Sequence, residues 1–243
     1  MEVRKLTRDP TELITRAVQP ALWLLIFGQV FTRIRAIPTG DLTYLDFMAP
    51  GVLAQGVLFA AIFYGIGVIW ERDLGIVHKL LASPASRLSL VLGKAIAAAV
   101  RAVPQAVIIY LLAAVLGVRL ALRPGALLAV LLLVALGSAT FATFSLVVAC
   151  VVKTRERFMG IGQVLTMPLF FASNAIYPID MMPRWLQVVA KVNPLTYLVD
   201  GLRAMMILSG PTHFGLTLDA GAMLGVFAVL LLLAARLYAG LAR

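Results

Sequence analysis

Six apolar stretches recur along these 243 residues, near 18–32, 50–69, 100–117, 125–151, 159–177 and 219–239. They constrain the fold more than any other feature. A run of about 20 apolar residues crosses a hydrocarbon core about 30 Å thick, and a backbone in that core must satisfy its hydrogen bonds internally. Helices are the only economical answer. The first stretch is short and reaches span length only by starting nearer Ile14. Just 13% of the residues are charged, so little chain is left for a soluble domain. Pro20, Pro104 and Pro168 fall in or near the spans, where neighbouring helices can satisfy the carbonyls they free. The expected fold is an all-α integral membrane protein with six transmembrane helices, a single unit over 1–243.

The net charge of +10 reads as a topology signal, not as a nucleic-acid footprint, because the cations flank the apolar runs. An even number of spans puts both ends on one side. With the N-terminus inside, fourteen of the 21 cations lie on the inner segments, so both ends are expected in the cytoplasm. Residues 1–17 carry no cleavable signal and read as an interfacial helix on that side. The segment 70–87, WERDLGIVHKLLASPASR, is then cytoplasmic. Trp70, Leu74, Val77 and Leu81 fall at helical spacing and predict one apolar stripe, with Glu71, Arg72, Asp73, His78 and Lys79 around it. Such a helix lies on lipid or docks on a partner, and mixed charge signs suit a protein groove better than a membrane surface. Residues 178–208 form the longest link and predict two short amphipathic helices at the outer interface, re-entrant or lying flat. Asn193 reads as an N-cap with Pro194 at the first helical position, and Asp200 and Arg203 are placed to pair.

Catalytic chemistry is hard to place. No phosphate-cradling glycine-rich motif occurs, because Gly93-Lys94 lacks its upstream glycine. His78 and His213 fall on opposite sides in this topology and cannot share a metal with the lone Cys150. All eleven acids lie at span ends or in loops, whereas ion-coupled carriers usually hold a carboxylate at depth. Two spans carry polar and aromatic faces: Gln55, Phe59, Phe63 and Ile66 on the second, and Gln163, Thr166, Phe170, Ser173 and Tyr177 on the fifth. Each face reads either as helix packing or as a path for substrate. Ser138, Thr140, Thr143 and Ser145 in the fourth span read as packing, and Arg101 as a cation reaching back to the inner surface with Lys94.

Three runs carry a family resemblance. YLDFMAPG, Tyr44 to Gly51, opens the second span. WERDLGIVHKLLASPASR, with Glu71, Gly75, Leu80 and Pro84, is followed by Gly93-Lys94. NPLTYLVDGLR, Asn193 to Arg203, comes after YPIDMMPRWLQ. In this order the chain resembles the permease subunits of ABC-2 type exporters, the group that includes drug-resistance, nodulation-factor and polysaccharide exporters. The resemblance implies no nucleotide site in this chain. It implies instead a partner ATPase that binds ATP and Mg, and a second permease chain, identical or related, in a bacterial plasma membrane. Trp70, Glu71, Arg72, Leu74, Gly75, Val77 and Leu81 would form the coupling helix, and Gln55, Phe59, Phe63, Gln163, Thr166, Phe170 and Ser173 the path for an amphipathic or lipid-like cargo moved outward. The alternative classes are a carrier or channel driven without ATP, and a membrane-embedded scaffold or enzyme.

Overall fold

The computed structural model describes residues 18–34, 37–152, 154–238 and 240. The interfacial helix expected over 1–17 lies outside them, as does Lys153. The structure is 80% helical, with no strand among the described residues. Helix α1 is Val18–Ile34, widened to π geometry over Trp23–Gly28. Then come α2 (Tyr44–Asp73), α3 (Ile76–Leu81), α4 (Arg87–Val115), α5 (Pro124–Val151), α6 (Arg155–Phe171), α7 (Arg184–Val192), α8 (Pro194–Met206) and α9 (Leu216–Leu237).

Four helices, α2, α4, α5 and α9, are long and apolar enough to cross a membrane. α1 and α6 are shorter, each about 25 Å at 1.5 Å per residue. The helices start and stop where local chemistry asks. Thr43 and Asp46 form a reciprocal capping box at the head of α2. Pro124 occupies the first turn of α5, where its missing N–H costs nothing. Asn193 caps α8 as expected, its Oδ1 accepting from the Leu195 amide at 3.0 Å.

α5 is the central post, packed by α2, α4, α8 and α9. Small residues let its neighbours approach closely. Leu198 of α8 seats on Gly137. The α5 hydroxyls are absorbed by packing, as their sequence suggests. Ser138 donates to the Ala98 carbonyl at 2.9 Å, Thr140 and Thr143 bond back to Leu136 and Ala139, and Ser145 donates to Ile62. Opposite, the chain after α6 runs so close to α2 that any side chain at Gly51 would collide with the Ala175 backbone.

The two ends of the bundle are tied differently. At one end, Asp46 holds Arg119 through its amide and its Nε, each at 2.9 Å, and the α4–α5 link bonds to the end of α8 through Ala121 and Leu208. At the other, charged residues of α2, α4 and α6 interlock. Two short helices do form within 178–208: α7, whose Trp185, Val188 and Val192 are exposed, and α8. α8 is instead part of the core: Leu195, Leu198, Leu202 and Met206 are fully buried. Its apolar stripe found protein to pack against because Gly137 and Gly201 leave room for it.

Candidate functional site

Two places bring chemistry-bearing side chains together. The first is the segment after α2. Gly75 adopts φ +71°, a left-handed conformation that a helix interior cannot contain, so α2 ends and the chain turns before α3. The continuous helix expected over 70–81 is therefore two pieces, and its stripe is split. Trp70 and Leu74 stand exposed, at 50% and 67%, whereas Val77 is fully buried among Val68, Val91, Leu146, Ala234 and Tyr238, with Leu81 packed beside it. Val77 and Leu81 anchor the segment; Trp70, Leu74 and Ile76 present it.

The charges here serve structure as well as surface. Asp73 accepts from Arg155 at 2.7 Å and from Arg72 at 3.1 Å, and Arg72 also reaches the Val152 carbonyl. The Arg155 guanidinium lies 3.9 Å from the Trp70 ring centroid, close enough for a cation–π contact. Glu71 turns the other way and pairs with Lys94 of α4. Arg72, Asp73 and Arg155 thus lock the end of α2 to the start of α6, and Glu71 locks it to α4.

The second place is a cavity of about 480 Å3 between α2 and α4, closed on one side by Gln19 and Pro20 of α1. Gln55, Phe59 and Phe63 line it, and so does Glu71 at the end of the same helix. Across from them stand Arg101 and Gln105 of α4. The Arg101 guanidinium lies over the Tyr64 ring, 5.3 Å from the centroid, at the cavity wall.

The fifth-span residues are elsewhere. Gln163 is exposed, off the buried face of α6. Thr166, Phe170 and Ser173 are buried, but each hydroxyl is spent on its own chain: Thr166 on Gly162, and Ser173 on Phe170 at 2.7 Å. Phe170 packs edge-on against Trp23 of α1, 5.9 Å away. None of the four lines the cavity, so the polar faces of the second and fifth spans do not meet there.

Two features escaped sequence reading. Gln105 sits opposite Gly56, where a Cβ would come 2.8 Å from its Nε2; a glycine facing a span glutamine was the available signal. The other is a buried charged cluster at the Asp46 end. Asp200 and Arg203 do pair, at 3.9 Å, but both are buried in the core, not at an interface. Arg203 donates to the carbonyls of Asn174 and Phe47 and lies over the Phe47 ring. Asp200 accepts from the His213 and Phe214 amides at 2.8 and 3.0 Å. Asp219 is fully buried nearby, although it sits at a helix end as expected. No group of three or more His, Cys, Asp or Glu side chains suited to a metal occurs among the described residues.

Comparison with known proteins places these features in a family setting. The family model described as ABC-2 type transporter matches residues 1–207. A putative transport permease of Cyanophora paradoxa is 32% identical over 203 residues, covering 82% of this chain and 69% of that protein. The daunorubicin resistance ABC transporter permease protein DrrB1 of Streptomyces coeruleorubidus is 27% identical over 234 residues, covering 94% and 80%. Nodulation protein J of Rhizobium leguminosarum bv. trifolii is 29% identical over 170 residues, covering 69% and 64%.

Proposed function

Because the chain belongs to the ABC-2 type transporter family, whose membrane subunits work with a separate ATP-binding subunit, we propose that it is the permease of an ATP-driven exporter of amphipathic or lipid-like compounds. As a membrane subunit of that family it is a multi-pass membrane protein and not itself catalytic. The permease crosses the bacterial plasma membrane six times, with α1 and α6 as the two shorter crossings and both termini in the cytoplasm. It works beside a second permease chain, identical or related, and ATP with Mg is bound by the partner ATPase. The whole of 1–243 is one transmembrane domain, with 1–17 and 70–87 on the cytoplasmic side and 178–208 outside.

The observation that carries this reading is the exposed Trp70–Leu74 corner, held to α4 and α6 at once. An apolar knob on a mobile loop could bind a partner but would transmit nothing. Here Glu71, Arg72 and Asp73 tie the knob to α4 and α6, so a push on Leu74 moves helix ends. The ATPase groove receives Trp70, Leu74 and Ile76, while Gly75 sets the corner and Val77 and Leu81 hold it to the bundle. Cargo enters by the cavity that Gln55, Phe59 and Phe63 line. Gln163, on the exposed face of α6, serves the contact with lipid or the second permease, and Thr166, Phe170 and Ser173 stiffen α6 behind it.

The drug and nodulation roles in the relatives' names belong to those proteins. The cleanest test is Leu74→Asp, since Leu74 makes no ion pair and is two-thirds exposed. Co-purified with its ATPase and reconstituted, this variant is expected to lose at least about tenfold of the permease-stimulated ATP hydrolysis, a transmission loss of roughly 1.4 kcal/mol, at unchanged membrane level. Stimulation at the wild-type level would remove the docking role.

A further inference from the structure

The cavity between α2 and α4 contains one chemical demand that the described residues leave unmet. Gln55 is 3% exposed, and its Oε1 has no hydrogen-bond partner. A buried amide oxygen is costly to leave unpaired. The charges along the cavity are otherwise engaged: Glu71 pairs with Lys94, and Arg101 lies over Tyr64. Gln55 stands about 16 Å along α2 from Tyr44, and Glu71 about 24 Å further on, at 1.5 Å per residue. Phe59 and Phe63 come between, one turn apart, and both line the cavity. Gly56, Ala98 and Ala102 keep the walls thin.

We propose that this cavity binds an uncharged amphiphile. Its hydroxyl or amide N–H donates to Gln55 Oε1, once a turn of the side-chain amide brings that oxygen to the cavity wall, and its apolar body lies along Phe59 and Phe63 toward the Glu71 end. The volume is within the range of small-molecule sites, about 300–1,000 Å3. A charged head at the depth of Gln55 would find no counter-ion beside it, because the ionic residues lining the cavity are Glu71 and Arg101, one or more turns nearer the other end. Glu71 also belongs to the segment that bears the Trp70–Leu74 corner, so the ligand and the docking corner share one helix end. Calling this ligand the cargo rests on the export reading; the binding itself does not, and it is measured without ATP or partner.

The test is native mass spectrometry of the full chain, titrated with 1-O-dodecylglycerol and with its 2,3-di-O-methyl ether. The two probes share tail and ether and differ in hydroxyl donors. The expected result is saturation of the alkylglycerol at one molecule per chain, at least about fivefold tighter than the dimethyl ether. Gln55→Leu is expected to abolish that preference while leaving dimethyl ether binding unchanged. Gly67→Leu lines the same cavity at a position where an added Cβ meets nothing within 4 Å, and it is expected to weaken both probes. Melting curves accompany each variant. If Gln55→Leu does not fold, the wild-type comparison of probes and Gly67→Leu decide the matter. Non-saturating or equal uptake of the two probes by the wild type, as from a cavity holding solvent alone, would overturn the proposal. So would a preference that survives in Gln55→Leu. Binding that stands while ATP-dependent export fails would count against the export reading and leave the site in place.

Discussion

Arg203 shows how much a single residue can be asked to do in this fold. It is buried, pairs with Asp200, spans two backbone carbonyls and lies over Phe47. Removing one member of a buried ion pair leaves the other uncompensated, at a cost of roughly 3–5 kcal/mol. Arg203→Met is therefore expected to lower the melting temperature and the folded yield sharply. Arg203→Lys should recover only part of the loss, since an ammonium cannot reproduce the planar fork to Phe47 and Asn174. The double change Arg203→Met with Asp200→Asn should be milder than Arg203→Met alone, and thermal melting in detergent reads all three. A double change no milder than Arg203→Met alone would mean that the two side chains are not coupled. The pairing was legible from the i, i+3 spacing. Its burial was not, because nothing local to 200–203 reports that Gly137, on another helix, opens the core to α8.

Gly75 decides the geometry of the 70–81 segment at the level of the element. Periodicity saw one amphipathic helix over 70–81, because the spacing of Trp70, Leu74, Val77 and Leu81 is helical whether or not the backbone is. The left-handed φ at Gly75 separates the pair that faces out from the pair that anchors. A Cβ at Gly75 would touch nothing, so its cost is purely conformational. Gly75→Ala is expected to cost about 1–2 kcal/mol. Gly75→Asn should be better tolerated, because asparagine visits that region more readily. Melting curves rank the two, and an alanine variant as stable as wild type would mean that the turn at Gly75 is not required. Similar reasoning applies to α6. Its steps of three and four grouped Gln163 with Thr166, Phe170 and Ser173, but the face that packs is Phe158, Gly162, Thr166 and Phe170, spaced by four.

Across the whole molecule, the helices align two sets of links at opposite ends, and this has a direct consequence for topology. With Cys150 replaced by Ala, Leu74→Cys and Trp185→Cys place one thiol at each end, both on well-exposed positions. A membrane-impermeant maleimide is expected to label Trp185→Cys in intact cells and Leu74→Cys only in inverted membranes. Labelling of both from the same side would contradict the arrangement of the two ends. The sequence alone determined the solvent and the class of the chain: apolar runs too long and too poor in charge for anything but membrane helices, with cations flanking them and three motif runs in family order. These are one-dimensional properties, written in composition and spacing. Only the tertiary structure decided which faces meet. It put α8 in the core, split the apolar stripe over 70–81, sent the fifth-span hydroxyls back to their own backbone, and set Gln55 and Gln105 around one cavity. In a bilayer every helix face is apolar enough to be exposed, so hydrophobicity does not choose between packing partners; close approach at small residues does, and that is a property of pairs of helices.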